Sequence, residues 1–207
     1  MINILNLLFP KRDFCLICNE EKEIGSLCTD CYDKFEFING KRDVDIPVSF
    51  PLVYNNFLRK VFHQYKFNGR NYYYKIFVEI LVNSFKDSSN DVDTIVAIPM
   101  SGREKAKRGF DQIEILVKEV AKSFDVFFLE GALKKVKETK RQTGLDYKER
   151  SENLKGCFEL SKDISARKIL LIDDIITTGA TINEAYRALS VGQPISIQGL
   201  TITSARI

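Results

Sequence analysis

The sequence predicts an α/β fold: a mainly parallel sheet flanked by helices, behind a small cysteine-rich N-terminal module. Three observations predict it. The runs DTIVAIP (93–99), KILLID (168–173) and ISIQGLTIT (195–203) are near-continuous in aliphatic residues. Strands of that kind are covered on both faces, which is the signature of a parallel sheet with helices above and below. Between these runs lie segments whose apolar residues recur with a 3.6-residue period, so strand and helix alternate. Four of the five cysteines fall within residues 15–31.

The chain has 207 residues, enough for one ordinary domain and a small addition. A hydrophobic fraction of 44% and a charged fraction of 29% are those of a globular protein. The start, MINILNLLFP, stops at Pro10-Lys11-Arg12, with no basic leading region and no small-residue cleavage site. It is expected to be an apolar turn packed on its own domain and not a signal peptide. No apolar run approaches the ~18 residues that a membrane span needs, so the expected location is cytoplasmic.

The next element is CLICNEEKEIGSLCTDC: Cys15, Cys18, Cys28 and Cys31 form two C-x-x-C pairs with nine residues between them. Two-residue spacing turns both thiolates of a pair toward one tetrahedral centre, and two pairs complete a four-thiolate zinc shell. The gap is shorter than the ~15–20 residues common in such sites, and a hairpin would close it. Disulfides are the rival, disfavoured in a cytosolic chain, and an iron–sulfur or redox centre is another. A closed four-thiolate shell leaves no open position, so such a metal supports folding and not catalysis. Cys157, in LKGCFEL, reads as a small buried apolar residue. Residues 1–45 are therefore expected to be a four-cysteine zinc-finger module, too small to hold a core without its metal.

The second unit is expected to span 46–207. VDIPVSFPLVYN reads as a linker becoming an edge strand. NNFLRKVFHQYKF places Phe57, Val61 and Tyr65 on one helical face with Leu58 and Phe62 beside them. YYYKIFVEILVNSFK repeats the period through Phe77, Ile80, Leu81 and Phe85. DTIVAIP is a short buried strand ending at Pro99, and QIEILVKEVAKSF a helix with Ile113, Leu116, Val120 and Phe124 inward. DVFFLE, KILLID and ISIQGLTIT are further strands, and TINEAYRALS is the helix between the last two. His63, the single histidine, lies in the first of these helices and is expected to be structural.

Two features carry chemistry. KILLID delivers Asp173 and Asp174 to the carboxyl edge of the sheet, where ligands of parallel sheets bind. The turn IITTGAT follows at once and leads into a helix starting near Thr181. A helix N-terminus with free N–H groups and small side chains cradles a phosphate. Carboxylates beside it would repel an anion unless they serve hydroxyl donors or a Mg²⁺ ion. The expected ligand is thus a sugar 5′-phosphate, its diol on the aspartates and its phosphate on Thr177, Thr178, Gly179, Ala180 and Thr181. Phospho-acceptor domains share the acid pair, and a buried strand with a capped turn would explain only the aliphatics and the glycine. A Walker-type Gly-Lys-Ser/Thr is absent.

The second feature is charge. The formal net charge is +3, yet SGREKAKRGF (101–110) carries four basic residues against Glu104. KKVKETKRQTGLDYKER (134–150) carries seven against Glu138, Asp146 and Glu149. Both read as Gly-containing loops that suit an anionic ligand, against the alternative of solvated lysines.

At this point the sequence resembles a known family. ILLIDDIITTGAT looks like the ribose-phosphate motif of type I phosphoribosyltransferases: aliphatic strand, two acids, two residues, T-T-G-x-T. The whole chain is similar to the ComF family of competence proteins. The shared pieces are LLFP before paired cysteine knuckles, Lys66-Phe67-Asn68-Gly69, and IPMSGREKAKRGFDQ through Gln112. A last piece combines Thr139, Gln142, Leu145, Arg150, Asn153 and Leu154. The resemblance implies a type I phosphoribosyltransferase-like domain over 46–207. It implies that Asp173 and Asp174 hold the ribose hydroxyls of phosphoribosyl pyrophosphate with Mg²⁺, and residues 177–181 the 5′-phosphate. Ser101, Gly102, Arg103 and Lys66 would contact pyrophosphate, and Lys140, Arg141, Gln142 and Thr143 would lie in a mobile closing loop. It also implies a factor for natural transformation that handles incoming single-stranded DNA and DNA-uptake proteins. Lys105, Lys107, Arg108, Lys134, Lys135 and Lys137 are the candidate backbone contacts, with Phe110 and Tyr147 for stacking. Transferase turnover stays open, as does a metabolite-sensing regulator. With Ile207 so close behind GLTITSA, any acceptor pocket is expected from the cysteine module or from 55–90.

Overall fold

The computed structural model describes residues 14–86, 91–102, 105–106, 111–137, 139 and 152–205. Behind the cysteine-rich turns come a short helix α1 (Thr29–Tyr32) and the hairpin β1 (Phe37–Asp43) and β2 (Pro47–Val53). Two helices follow, α2 (Asn56–Phe67) and α3 (Tyr74–Phe85), joined through a 3-10 turn at Asn71–Tyr73. Next are β3 (Thr94–Ala97), α4 (Gln112–Phe124), β4 (Phe127–Phe128), and the strands β5 (Leu133–Lys135) and β6 (Phe158–Leu160). The last three elements are β7 (Lys168–Ile176), α5 (Ala180–Ser190) and β8 (Ser196–Ser204).

The main sheet has the order β1-β2-β8-β7-β3-β4. All neighbours are parallel except β1, which is antiparallel to β2. The expected parallel sheet is therefore present, with one antiparallel edge strand that the periodicity did not mark. Alternating exposure along FINGKRD, with a glycine and three charged residues, lacks the aliphatic run used to find the others. Its presence puts β2 inside the sheet instead of at its edge, and β2 buries Val48, Phe50 and Leu52 accordingly.

Successive strand residues point to opposite faces, and the core divides accordingly. Ile95, Leu170 and Ile172 face α2, α3 and α4. Val96, Ile169 and Leu171 face α5 and the separate antiparallel pair β5–β6. The helices begin and end where local chemistry dictates. Asn55 caps α2 by accepting from the Leu58 N–H at 2.8 Å. Asp111 caps α4, accepting from Ile113 and Glu114 N–H groups at 3.1 and 3.2 Å. Gly69, one residue past the C-cap of α2, has φ +69, a conformation costly for any side chain.

The helical faces read from the sequence are inward, though Phe57 and Phe124 are only partly buried at the margin. His63 is exposed, 5.2 Å from the Phe67 ring, and Cys157 is fully buried. Among the described residues, no helix is long and apolar enough to cross a membrane.

Candidate functional site

The order of the strands creates the site. From β3 the chain crosses through α4 to β4 on one side; from β7 it crosses through α5 to β8 on the other. Strand order thus reverses between β3 and β7, and the loops leaving their carboxyl ends diverge to form a crevice. The residues following β3 are Ile98 to Gly102, and those following β7 are Thr177 to Gly179. Pairing of Ala97 with Ile172, continued by the Ile98 N–H donating to the Ile172 carbonyl at 3.0 Å, sets Asp173 beside the first loop.

The acid pair does not end the strand as the sequence reading had it. β7 runs on to Ile176, with Asp173 paired to buried Thr201 on β8. Pairing with β8 before and after the pair, at Asp173 with Thr201 and Ile175 with Thr203, holds its backbone in the sheet, and both carboxylates are half-buried. The Asp173 carboxyl is pushed up to about 7, first by burial and then by the neighbouring Asp174 charge. It accepts a hydrogen bond from the Asp174 N–H at 2.8 Å. Asp174 forms an ion pair with Lys66.

That contact locates the K-F-N-G element. It is the last turn of α2 and its glycine cap, which fixes the length of the helix and so the position of Lys66. The turn is locked to the start of α4: Tyr65 Oη donates to the Gln112 carbonyl at 2.9 Å, and Gln112 Nε2 donates to the Tyr65 carbonyl at 2.5 Å. The R-G-F-D-Q ending of the basic loop is thereby explained at its last two positions. Gln112 joins α4 to α2, and Asp111 receives the Met100 N–H at 3.3 Å, tethering the loop after β3. Asp111 was not singled out from the sequence, although an Asp three residues before Glu114 is a helix-start signal.

Of the residues expected on the pyrophosphate side, Ser101 is buried and Gly102 exposed. Lys66 is brought to the acid pair, on the ribose side of the expected arrangement. Arg103 lies outside the described residues, as do Lys107, Arg108, Phe110, Lys140, Arg141, Gln142, Thr143 and Tyr147.

Residues 177–181 form the turn that starts α5. Gly179 is its N-cap at φ 87, and a Cβ there would lie 2.5 Å from Val44 Cγ1, so both conformation and space demand glycine. Thr178 is buried and accepts from the Ala180 N–H at 3.4 Å. The helix begins at Ala180, one residue before the expected start. Arg42, Val44 and Asp45, which touch this turn or α5, carried no signal in the sequence because they are more than 130 residues away.

Among the candidate DNA contacts, Lys105 is exposed and pairs with Glu114 at 3.2 Å. Lys134 and Lys135 stand on β5, paired antiparallel with β6, where the sequence suggested only a loop. Lys137 is exposed and donates to the Lys155 carbonyl at 3.4 Å.

Away from this crevice, the Sγ atoms of Cys15, Cys18, Cys28 and Cys31 lie within 4.8 Å of one another. Tetrahedral Zn–S bonds of about 2.3 Å put sulfurs about 3.8 Å apart, so the four-thiolate set fits one zinc ion. Burial raises the Cys15 thiol, but N–H groups of Cys18, Cys28 and Ile17 outweigh it and hold it down to about 6, whereas burial and the neighbouring sulfurs push the Cys31 thiol up. The module is joined to α3, since Ser26 donates to Glu79 through its N–H at 2.9 Å and its hydroxyl at 2.6 Å. Cys15, Cys28 and Cys31 share one core with Leu58 and Phe77.

Comparison with known proteins agrees with this arrangement. The phosphoribosyl transferase domain family matches residues 72–202 and the double zinc ribbon domain matches residues 4–42. The cysteines of that second stretch suffice for one ion, not two. Competence protein ComFC of Streptococcus pneumoniae is 32% identical over 170 residues, 81% of this chain and 70% of that protein. Competence protein F of Haemophilus influenzae is 34% identical over 100 residues, 47% of this chain. DNA utilization protein YhgH of Escherichia coli is 30% identical over 97 residues. The aligned stretches span less than half the length of these last two, 44% and 43%. A solved hypoxanthine phosphoribosyltransferase of Staphylococcus aureus is 14% identical with a TM-score of 0.40, covering 64% of this chain and 63% of that one. The four-cysteine cluster and the zinc-ribbon match support structural zinc, and the ComFC relative together with the phosphoribosyl transferase match places the chain in the ComF family of competence proteins.

Proposed function

We propose that this protein binds phosphoribosyl pyrophosphate with Mg²⁺ and acts in natural transformation, in the cytoplasm, by handling imported single-stranded DNA with proteins of the uptake machinery. Relatives called competence and DNA utilization proteins support a part in competence. The observation that carries the ligand reading is the crevice itself: Asp173 and Asp174, with Lys66 on Asp174, stand beside a glycine turn that opens α5. The carboxylates supply acceptors for two ribose hydroxyls, and the turn supplies N–H donors and a helix dipole for the 5′-phosphate. The Asp174 carboxylate is paired with the Lys66 ammonium, so this edge carries both an acceptor and a cationic side chain. Asp173 and Asp174 are the groups that would hold Mg²⁺, which would offset the charge of the pyrophosphate.

Calorimetry with phosphoribosyl pyrophosphate and Mg²⁺ tests this reading. Replacing both Asp173 and Asp174 with Asn removes charge-assisted hydrogen bonds worth about 1.5–3 kcal/mol each. Affinity is expected to fall by about a hundredfold or more while the circular dichroism spectrum is kept. Unchanged affinity in the double variant would move the site elsewhere. A phosphoribosyltransferase that turns over is the second reading. The same crevice would serve it, and release of pyrophosphate with an acceptor base would reveal it.

A further inference from the structure

The edge hairpin β1–β2 reaches across the sheet end to the phosphate turn, and nothing in the motif accounts for it. Arg42 Nη1 donates to the Thr177 carbonyl at 2.7 Å and to Ser204 Oγ at 3.3 Å. Val44 fills the space that a side chain on Gly179 would need. The Asp45 N–H donates to Asn183 Oδ1 at 3.1 Å, and the Asp45 carboxylate lies 3.7 Å from Arg187. Three residues within one four-residue stretch, Arg42, Val44 and Asp45, thus hold the phosphate turn and α5.

We infer that Arg42, through its hydrogen bond to the Thr177 carbonyl, is a positioning residue that sets the phosphate turn in its anion-binding orientation. The inference rests on the phosphoribosyl reading above and adds the element that presets the 5′-phosphate subsite. The peptide bond supplies the physical reason. In a planar trans peptide, the Thr177 C=O and the Thr178 N–H point in opposite directions. A guanidinium that takes the carbonyl to one side fixes the N–H on the other. It also keeps a negative carbonyl end from turning toward an incoming phosphate. A charged donor makes this bond stronger than a neutral one would. Arg42 sits on a sheet strand, so its own position is fixed by pairing of β1 with β2.

The test uses two probes that occupy different parts of the ligand, ribose 5-phosphate and pyrophosphate with Mg²⁺, on the full chain. Arg42→Met keeps the length of the stem and removes the donor. It is expected to weaken ribose 5-phosphate about tenfold and leave pyrophosphate within about twofold. Arg42→Lys should recover part of the loss. Asn183→Ala, a milder change to the same brace, should shift ribose 5-phosphate in the same direction. Without any ligand, amide exchange at residues 179–182 should quicken about tenfold in Arg42→Met, while exchange in β7 stays slow. Equal binding of ribose 5-phosphate by Arg42→Met and wild type would overturn the inference alone. So would a matched loss of both probes, which marks general destabilisation. Wild-type protein that binds neither probe would overturn the phosphoribosyl reading and the inference with it.

Discussion

Asp173 sits half-buried next to a second carboxylate, and its raised proton affinity has a sign that can be followed. Unfolded, it ionises near 3.8; folded, near 7. Between those values the folded state holds a proton that the unfolded state has released. The contribution to stability is therefore full below about pH 4 and is lost as pH rises through 7. Ligand-free wild-type protein should lose melting temperature over that interval relative to Asp173→Asn, which stays neutral throughout. Parallel melting curves for the two proteins from pH 4 to 8 would discard this account. Lys66 is the other residue with a direct test. Its side chain is 20% exposed and that of Asp174 is 16% exposed, so removing the ammonium strands a mostly buried carboxylate. Lys66→Met should cost about 1–3 kcal/mol at pH 8, a fall of several degrees in Tm. Adding Asp174→Asn should restore most of it. A single variant that melts like wild type would show that the pair contributes nothing.

At the level of elements, the cysteine module and the helices next to it behave as one piece. Cys15, Leu27, Cys28 and Cys31 are buried against the same core as α2 and α3, and Glu79 receives two hydrogen bonds from Ser26. Loss of the metal therefore exposes apolar surface on α3 as well as within the module. Purified protein should hold about one zinc per chain, because the four sulfurs converge on a single centre. Cys15→Ser and Cys31→Ser should be insoluble or readily proteolysed, with cuts reaching into α3. Metal analysis that finds no zinc in well-folded protein would remove the assignment. The lock between Tyr65 and Gln112 is a second joint of this kind, holding the Lys66 end of α2 against the start of α4.

For the whole molecule, the open matter is how the charge is used. The stretches 101–110 and 134–150 carry +7 between them against +3 for the chain, leaving −4 on the remainder. If they track a nucleic acid backbone, single-stranded DNA should bind without sequence preference and weaken steeply with salt. The slope is about −0.7 per phosphate neutralised. Lys105→Ala, Lys107→Ala and Arg108→Ala together should flatten the slope by roughly two to three contacts. The pairing of Lys105 with Glu114 favours the lower figure. An unaltered slope in the triple variant would leave these residues as solvated surface.

The sequence by itself determined the elements that local patterning can specify. Runs such as KILLID could only be buried strands, 3.6-residue periods gave the helices, and the cysteine spacing gave a four-sulfur centre. The order of residues in IDDIITTGAT also gave the acids and the phosphate turn together, because they are neighbours in the chain. Tertiary structure decided what depends on distant pairing. β1 is an edge strand only because β2 lies beside it, and β5 and β6 are strands through each other, 22 residues apart. Lys66 reaches Asp174, and Arg42 reaches Thr177, across 135 residues in the second case. Those contacts come from where the sheet order reverses and where its edge hairpin ends. No periodicity or local motif encodes that geometry, since it exists only once the strands have paired.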